Sequence, residues 1–223
     1  MGVKYYIGYN VKYHIIPVTA FSQNCSLIWC KQTGEAALVD PGGEAERVRQ
    51  EVAAQGVMVK KIWLTHAHLD HVGAARELAL FYHVPILGPH RADAPLLTSL
   101  PAQCQMFGVK CIPSFMPDYW LKRGVTLTLG QLSFSVLHCP GHSPGHVVFW
   151  NKAAKFILMG DVLFHGMIGR TDLPGGDKAT LIHSIQNKLM PLSDEIAFLP
   201  GHGPMSFLGH ERRNNPCLQA LST

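Results

Sequence analysis

The chain has 223 residues, 47% hydrophobic and 15% charged, enough apolar content for a substantial core and too much for intrinsic disorder. Its formal charge of +4 comes from scattered basic residues, which excludes the basic stripe of a nucleic-acid-binding protein. No run approaches the roughly 20 apolar residues of a membrane-spanning helix.

The elements follow in chain order. Residues 1–12 read as an N-terminal extension, with a single domain over 13–223. Tyr13 to Thr19, Cys25 to Cys30 and Ala36 to Asp40 are β-rich runs separated by turn formers such as Ser22, Asn24 and Gly34. After the breaker Pro41-Gly42-Gly43, Val48, Val52 and Ala53 fall at helical spacing within Glu44 to Gln55. Lys61 to Thr65 reads as a buried strand, His66 to Asp70 as a loop, Ala74 to Tyr82 as a helix and Val84 to Leu87 as a strand. Arg91 to Leu121 shows no period, because Pro95, Pro101, Pro113 and Pro117 interrupt it; the segment is expected to cover or flank the site. Strands are expected at Thr126 to Leu129, Leu132 to Cys139, His146 to Trp150, Phe156 to Met159 and Ile196 to Leu199, and a helix at Lys178 to Leu189. Alternating strands and helices predict a layered α/β fold.

The beginning, Met1 to Asn10, has no apolar stretch with a small-residue cleavage site, and Tyr6 stands where a myristoylation signal needs Ser or Thr. A cytoplasmic location is expected. The six cysteines have no CxxC spacing and are expected to be reduced, mostly buried thiols. The sequence sets no oligomeric state.

The chemistry concentrates in Thr65-His66-Ala67-His68-Leu69-Asp70-His71, directly after a predicted strand. Four potential ligands in six residues at a strand-to-helix junction can turn towards one point, and imidazole with carboxylate suits zinc, iron or manganese. His142, Asp161 and His202 each stand at the end of a predicted strand beside glycine, in Pro140-Gly141-His142, Gly160-Asp161 and Pro200-Gly201-His202. Seven ligands exceed one tetrahedral ion, so two divalent metal ions are implied. His146 begins a predicted strand beside Val147 and Val148, and is expected to support the site rather than ligate. His165 and His210 have no ligand spacing.

This pattern resembles the metallo-β-lactamase-fold hydrolases over about residues 13 to 213. Cys139-Pro140-Gly141-His142-Ser143-Pro144-Gly145-His146 and Gly160-Asp161-Val162-Leu163-Phe164 are most similar to the glyoxalase II (hydroxyacylglutathione hydrolase) branch, in its short bacterial form. The resemblance implies an αββα sandwich with the site along one edge of the sheets. It assigns His66, His68 and His142 to one ion and Asp70, His71 and His202 to the other, with Asp161 between them; Asp70 also carries a catalytic assignment. It makes Asp40 a support for a ligand histidine. It places a basic residue near Arg170 by the substrate's carboxylate end, where a salt bridge with Asp172 is the equal alternative.

The implied reaction is hydrolysis of a small thioester such as S-lactoylglutathione, on zinc above iron or manganese. Two ions about 3.5 to 4 Å apart share a water and bring its pKa towards neutrality, giving a hydroxide nucleophile. Residues 203–223 are too few for the helical C-terminal domain of longer glyoxalase II enzymes, and Gly203-Pro204 replaces their acidic-Tyr pair. A persulfide dioxygenase with a single iron, sharing the same ligand run, is the competing reading, and a broader esterase or lactonase of the same fold is another.

Overall fold

A computed structural model describes residues 10–219. Its first half holds β1 (Val11–Val18), β2 (Gln23–Cys30), β3 (Glu35–Val39), α1 (Ala45–Gln55), β4 (Met58–Trp63), α2 (Leu69–Val72), α3 (Ala75–Tyr82) and β5 (Ile86–Leu87). Then come α4 (Ala94–Thr98) and α5 (Leu100–Phe107). The second half holds β6 (Thr126–Leu129), β7 (Leu132–His138), β8 (Val147–Asn151), β9 (Phe156–Gly160), β10 (Leu163–Phe164), β11 (Met167–Ile168), α6 (Lys178–Ser184), β12 (Ala197–Pro200), β13 (Ser206–Phe207), α7 (Leu208–Asn214) and α8 (Pro216–Gln219).

One sheet has the order β1-β2-β3-β4-β5 and the other β13-β12-β9-β8-β7-β6; β10 and β11 form a separate hairpin. Side chains alternate across each strand, and the alternation sorts them into three apolar layers. In β2, Leu27 faces α1 and α3 among Val48, Val52, Ala75 and Leu78. Its neighbour Ile28 faces the other sheet, in the layer that holds Trp63, Phe134, Phe149 and Leu158. In β9, Ile157 turns outward to pack with Leu181, Ile185 and Leu208. Both sheets are therefore covered on both faces, giving the αββα sandwich of a single α/β domain. Trp63 joins the sheets at the centre, with ring centroids 5.2 Å from Phe134 and 5.3 Å from Phe149.

The predicted elements recur with shifted ends. β1 begins at Val11, so Val11 and Lys12 lie in the sheet, whereas residues 1–9 of the predicted extension lie outside the described residues. The predicted helix Lys178 to Leu189 is α6 continued by a π-helical turn at Ile185–Leu189. The aperiodic stretch contains α4 and α5, each with proline in its first turn, where the missing N–H costs nothing. No described helix is long and apolar enough to cross a membrane. Cys25, Cys30, Cys104 and Cys139 are buried free thiols, and Cys111 is exposed.

Parallel pairing fixes where the site lies. β3 runs parallel to β4, and β9 parallel to β12. Their carboxyl ends, the usual place for a binding crevice in sheets of this kind, meet along one edge of the sandwich. Two backbone bonds tie the sheets together there, from Asn24 N to the Gly201 carbonyl at 2.7 Å and from Val147 N to the Thr65 carbonyl at 2.8 Å.

Candidate metal centre

Each predicted site residue follows a strand at this edge. His66 and His68 lie in the loop after β4, and Asp70 and His71 in the short α2. His142 lies after β7, Asp161 directly after β9 and His202 after β12. Distant parts of the chain thus deliver seven polar side chains to one place.

The first group is His66, His68 and His142, with His142 Nε2 at 3.2 Å from His66 Nε2 and 2.9 Å from His68 Nδ1. The second is Asp70, His71 and His202, with His202 Nε2 at 3.2 Å from Asp70 Oδ2 and 3.4 Å from His71 Nε2. Asp161 stands between them. Its Oδ1 is 3.4 Å from His71 Nε2, and its Oδ2 is 3.5 Å from His142 Nε2 and 3.6 Å from His202 Nε2.

Outer hydrogen bonds set the tautomers. His142 Nδ1 donates to the Arg170 carbonyl at 2.7 Å and His202 Nδ1 to the Phe21 carbonyl at 3.1 Å. The Thr65 hydroxyl donates to Asp40 Oδ2 at 2.6 Å, so its oxygen accepts from His66 Nδ1 at 3.0 Å. Asp40 Oδ2 also takes the His71 Nδ1 proton at 3.0 Å. Asp40 holds this place with its backbone in the left-handed region, φ 49°, a conformation costly outside glycine and found where a site requires it.

The consequence for His66 and His142 is direct. With both Nδ1 protons committed outward, two Nε2 lone pairs face each other at 3.2 Å. Burial, with the neighbouring imidazoles, drives His66 well below the ordinary histidine range; it also holds His142 low and brings His68 down to about 3. Facing lone pairs on neutral, buried rings repel, and a divalent cation resolves that repulsion. The second group carries the opposite balance. Burial opposes charge on His71, but Asp161, Asp70 and Asp40 outweigh it and raise His71 well above its usual value. Burial likewise opposes charge on His202, and the hydrogen bond to Asp70 overcomes it. Burial would raise Asp161, yet His71, His142 and His202 keep it far below the carboxylate range. The carboxylates beside these imidazoles favour positive charge at this group. The donor set therefore fits divalent metal binding.

Glycine makes the approach possible. A Cβ at Gly201 would stand 2.1 Å from Asp161 Oδ1 and 2.6 Å from His71 Cε1, and one at Gly169 1.9 Å from the Asp161 carbonyl oxygen.

His146 touches the site from behind. Its Nε2 accepts from the Asp161 backbone N–H at 2.9 Å, and its ring stacks on His66 at 4.7 Å. Arg170 lines the cleft, but its guanidinium is bound at both Nε and Nη2 by Asp172, at 2.8 and 2.7 Å. The cleft beside the centre holds about 580 Å3 and is lined by His68, Asp70, His142, Asp161 and His202 at one end and by Phe21, Phe107 and Phe164 among its walls.

Sequence reasoning missed Asp93. This buried carboxylate accepts from Ala67 N at 3.0 Å, Ser143 Oγ at 2.8 Å and Gly145 N, clamping the His66–His71 loop to the His142 loop. Burial pushes its carboxyl up to about 6, with the three donors pulling the other way. It lies in the proline-broken stretch, where no period marks a core face. His165 and His210, read as lacking ligand spacing, come together with Glu211 in space. Glu211 there accepts from Gly166 N and Asn215 Nδ2, both at 2.8 Å, and fastens the β10–β11 turn to α7.

A family model described as the metallo-beta-lactamase superfamily matches residues 18–202, which include all seven convergent residues. Hydroxyacylglutathione hydrolase GloC of Haemophilus influenzae is 50% identical over 209 residues, covering 93% of this chain and 98% of that protein. Among solved structures, BLEG-1 B3 metallo-beta-lactamase aligns with a TM-score of 0.86 at 35% identity, over 93% of this chain and 99% of that one. TTHA1623 in a di-iron-bound form aligns with a TM-score of 0.83 at 35% identity, over 91% and 98%.

Proposed function

The chain belongs to the metallo-β-lactamase superfamily and is a hydrolase, and we propose that it cleaves a small thioester of the S-lactoylglutathione type at a pair of divalent metal ions. The observation that carries this reading is the position of Asp161, one carboxylate oxygen towards His71 and the other towards His142 and His202. A single side chain that reaches two ligand groups is the arrangement a binuclear centre needs. The 50% identity to a hydroxyacylglutathione hydrolase supports the substrate class, and a relative solved with two irons supports the nuclearity.

His66, His68 and His142 would hold one ion, Asp70, His71 and His202 the other, and Asp161 both. When bound, the ions supply an activated water and a Lewis acid for the thioester carbonyl. The chain's own part is orientation. Asp40, Thr65 and the carbonyls of Arg170 and Phe21 keep four imidazoles in one tautomer with their inner nitrogens turned to the centre. Asp70 and Asp161, their side chains 20% and 9% exposed, both face the cleft, and Asp70 Oδ2 lies 3.2 Å from His202 Nε2. Hydrolysis breaks the carbon–sulfur bond, the water oxygen stays in the carboxylic acid, and the departing thiolate places little demand on a general acid.

The test is steady-state hydrolysis of S-lactoylglutathione by the zinc- and iron-loaded protein, beside oxygen uptake with glutathione persulfide and turnover of a β-lactam. Thioester hydrolysis with two ions per chain is expected. Oxygen uptake on the persulfide without thioester turnover, or β-lactam turnover alone, would overturn the reading.

A further inference from the structure

The cleft beside the metal centre has two unlike ends. At one stand five of the convergent His and Asp side chains; apart from His165 and Arg170 the rest of its wall is apolar, formed chiefly by Phe21, Phe107, Phe164, Met167, Ile168 and Leu173. These come from the β1–β2 turn, the end of α5, the β10–β11 hairpin and the segment after it, so the wall is assembled by the fold and not by one stretch of sequence. Phe21 and Phe107 meet edge to face at 5.6 Å while leaving 41% and 37% of their surfaces open, and Met167 is 60% open. Phe164 sits edge-on to the His202 ring at 6.2 Å. Exposed aromatic and methionine side chains around a polar end form a binding surface for an apolar group, because water gains when they are covered.

The charge inventory says which part of a thioester this is. Among the described residues lining the cleft, Arg170 is the one permanent cation, and Asp172 already neutralises it through two hydrogen bonds. A glutathione moiety brings two carboxylates and an ammonium group. The apolar wall would strip their hydration and offer a single exposed guanidinium, shared with Asp172, against two carboxylates. With the carbonyl at the metal end, the charged thiol half is left towards solvent and the acyl half lies along the apolar wall.

Resting on the thioester-hydrolase reading above, we propose that the cleft selects thioesters with an apolar acyl group, in preference to short hydroxyacyl groups, and that Phe107 and Met167 set this selectivity.

The experiment uses the metal-loaded enzyme and a series of S-acylglutathiones, from acetyl through butyryl to hexanoyl, beside S-lactoylglutathione. Burial of each added methylene is expected to raise kcat/KM by about fourfold until the wall is filled, with the gain mainly in KM because the acyl tail is bound alike in ground and transition states. Phe107→Ala and Met167→Ala should flatten the rise, lowering hexanoyl turnover more than acetyl turnover, and Phe107→Leu should restore part of it. Thermal unfolding of each variant separates lost selectivity from lost fold. Turnover of S-lactoylglutathione with a flat or falling acyl series would overturn this inference and leave the hydrolase reading intact. Equal losses on acetyl and hexanoyl substrates in both alanine variants would remove the two residues from the selectivity role. No turnover of any thioester would overturn the hydrolase reading itself, and this inference with it.

Discussion

His146 holds Asp161 by the main chain: its Nε2 accepts the Asp161 amide proton at 2.9 Å, while the Asp161 carboxylate points the other way, to His71, His142 and His202. The two residues are adjacent in space and divided in task. Asp161→Ala is expected to remove turnover and weaken binding at both groups, since its carboxylate reaches His142 of one and His71 and His202 of the other. His146→Ala should keep two ions but lose about 10- to 100-fold in metal affinity or kcat/KM, the usual scale for an outer partner of a ligand. Metal analysis with steady-state kinetics checks this; equal losses in the two variants would show that the division is wrong.

Metal removal gives the second expectation. A chelator should abolish activity and lower the melting temperature, because an ion bound only by the folded chain stabilises it by mass action. Readdition of zinc or iron should restore both, with full activity at two equivalents per chain. Full activity at one equivalent would rule out the paired centre.

Gly201 offers a steric test. An added Cβ would collide with Asp161 Oδ1 and His71 Cε1 at once, and the Gly201 carbonyl is also the acceptor that joins this loop to Asn24. Gly201→Ala is therefore expected to displace the carboxylate and cost on the order of 100-fold in kcat, the scale of a misplacement near 1 Å. Near-UV circular dichroism should remain close to that of the parent, since the strands on either side are untouched.

Much of this site was readable before any fold was known. The His66–His71 run and the three Gly-adjacent residues carry their chemistry in residue type and spacing, and each strand that presents them has a strong apolar pattern. The hairpin β10–β11 and strand β13 were missed, because two-residue strands carry no period. The apolar wall was missed for a related reason: Phe21, Phe107 and Met167 sit in turns and a helix end, and only tertiary packing makes them neighbours.

Asp93 lay hidden in the same way, and its contribution to stability can be measured. Asp93→Ala strands three donors, Ala67 N, Ser143 Oγ and Gly145 N, in a buried place. At about 1–3 kcal/mol for each unsatisfied group, the expected loss is about 3–5 kcal/mol in urea unfolding, less than a simple sum because the loops relax. Asp93→Asn keeps an accepting oxygen and should cost less. A loss below about 1 kcal/mol for the alanine variant would show that the clamp does not hold the two loops.

The last prediction separates the two roles open to Arg170. Its carbonyl oxygen accepts from His142 Nδ1, whereas its guanidinium is engaged by Asp172. Side-chain substitutions therefore leave the support of His142 in place, and any effect on catalysis reports on the guanidinium alone. That pair is exposed, with side chains 56% and 67% open, so solvent screens it and a competing carboxylate can displace Asp172 at little cost. If the guanidinium meets a substrate carboxylate, Asp172→Asn frees it and should lower KM for S-lactoylglutathione by about two- to fivefold, while Arg170→Ala should raise KM by a similar factor; kcat should be unchanged in both. Added salt should shrink both effects, as it does for any exposed charge pair. Should the pair serve only to shape the loop after β11, the two variants would instead move KM in the same direction, and they would do so for a neutral thioester as strongly as for an anionic one. Measuring both substrates with both variants at low and high ionic strength decides the matter, and opposite shifts confined to the anionic substrate are the expected result.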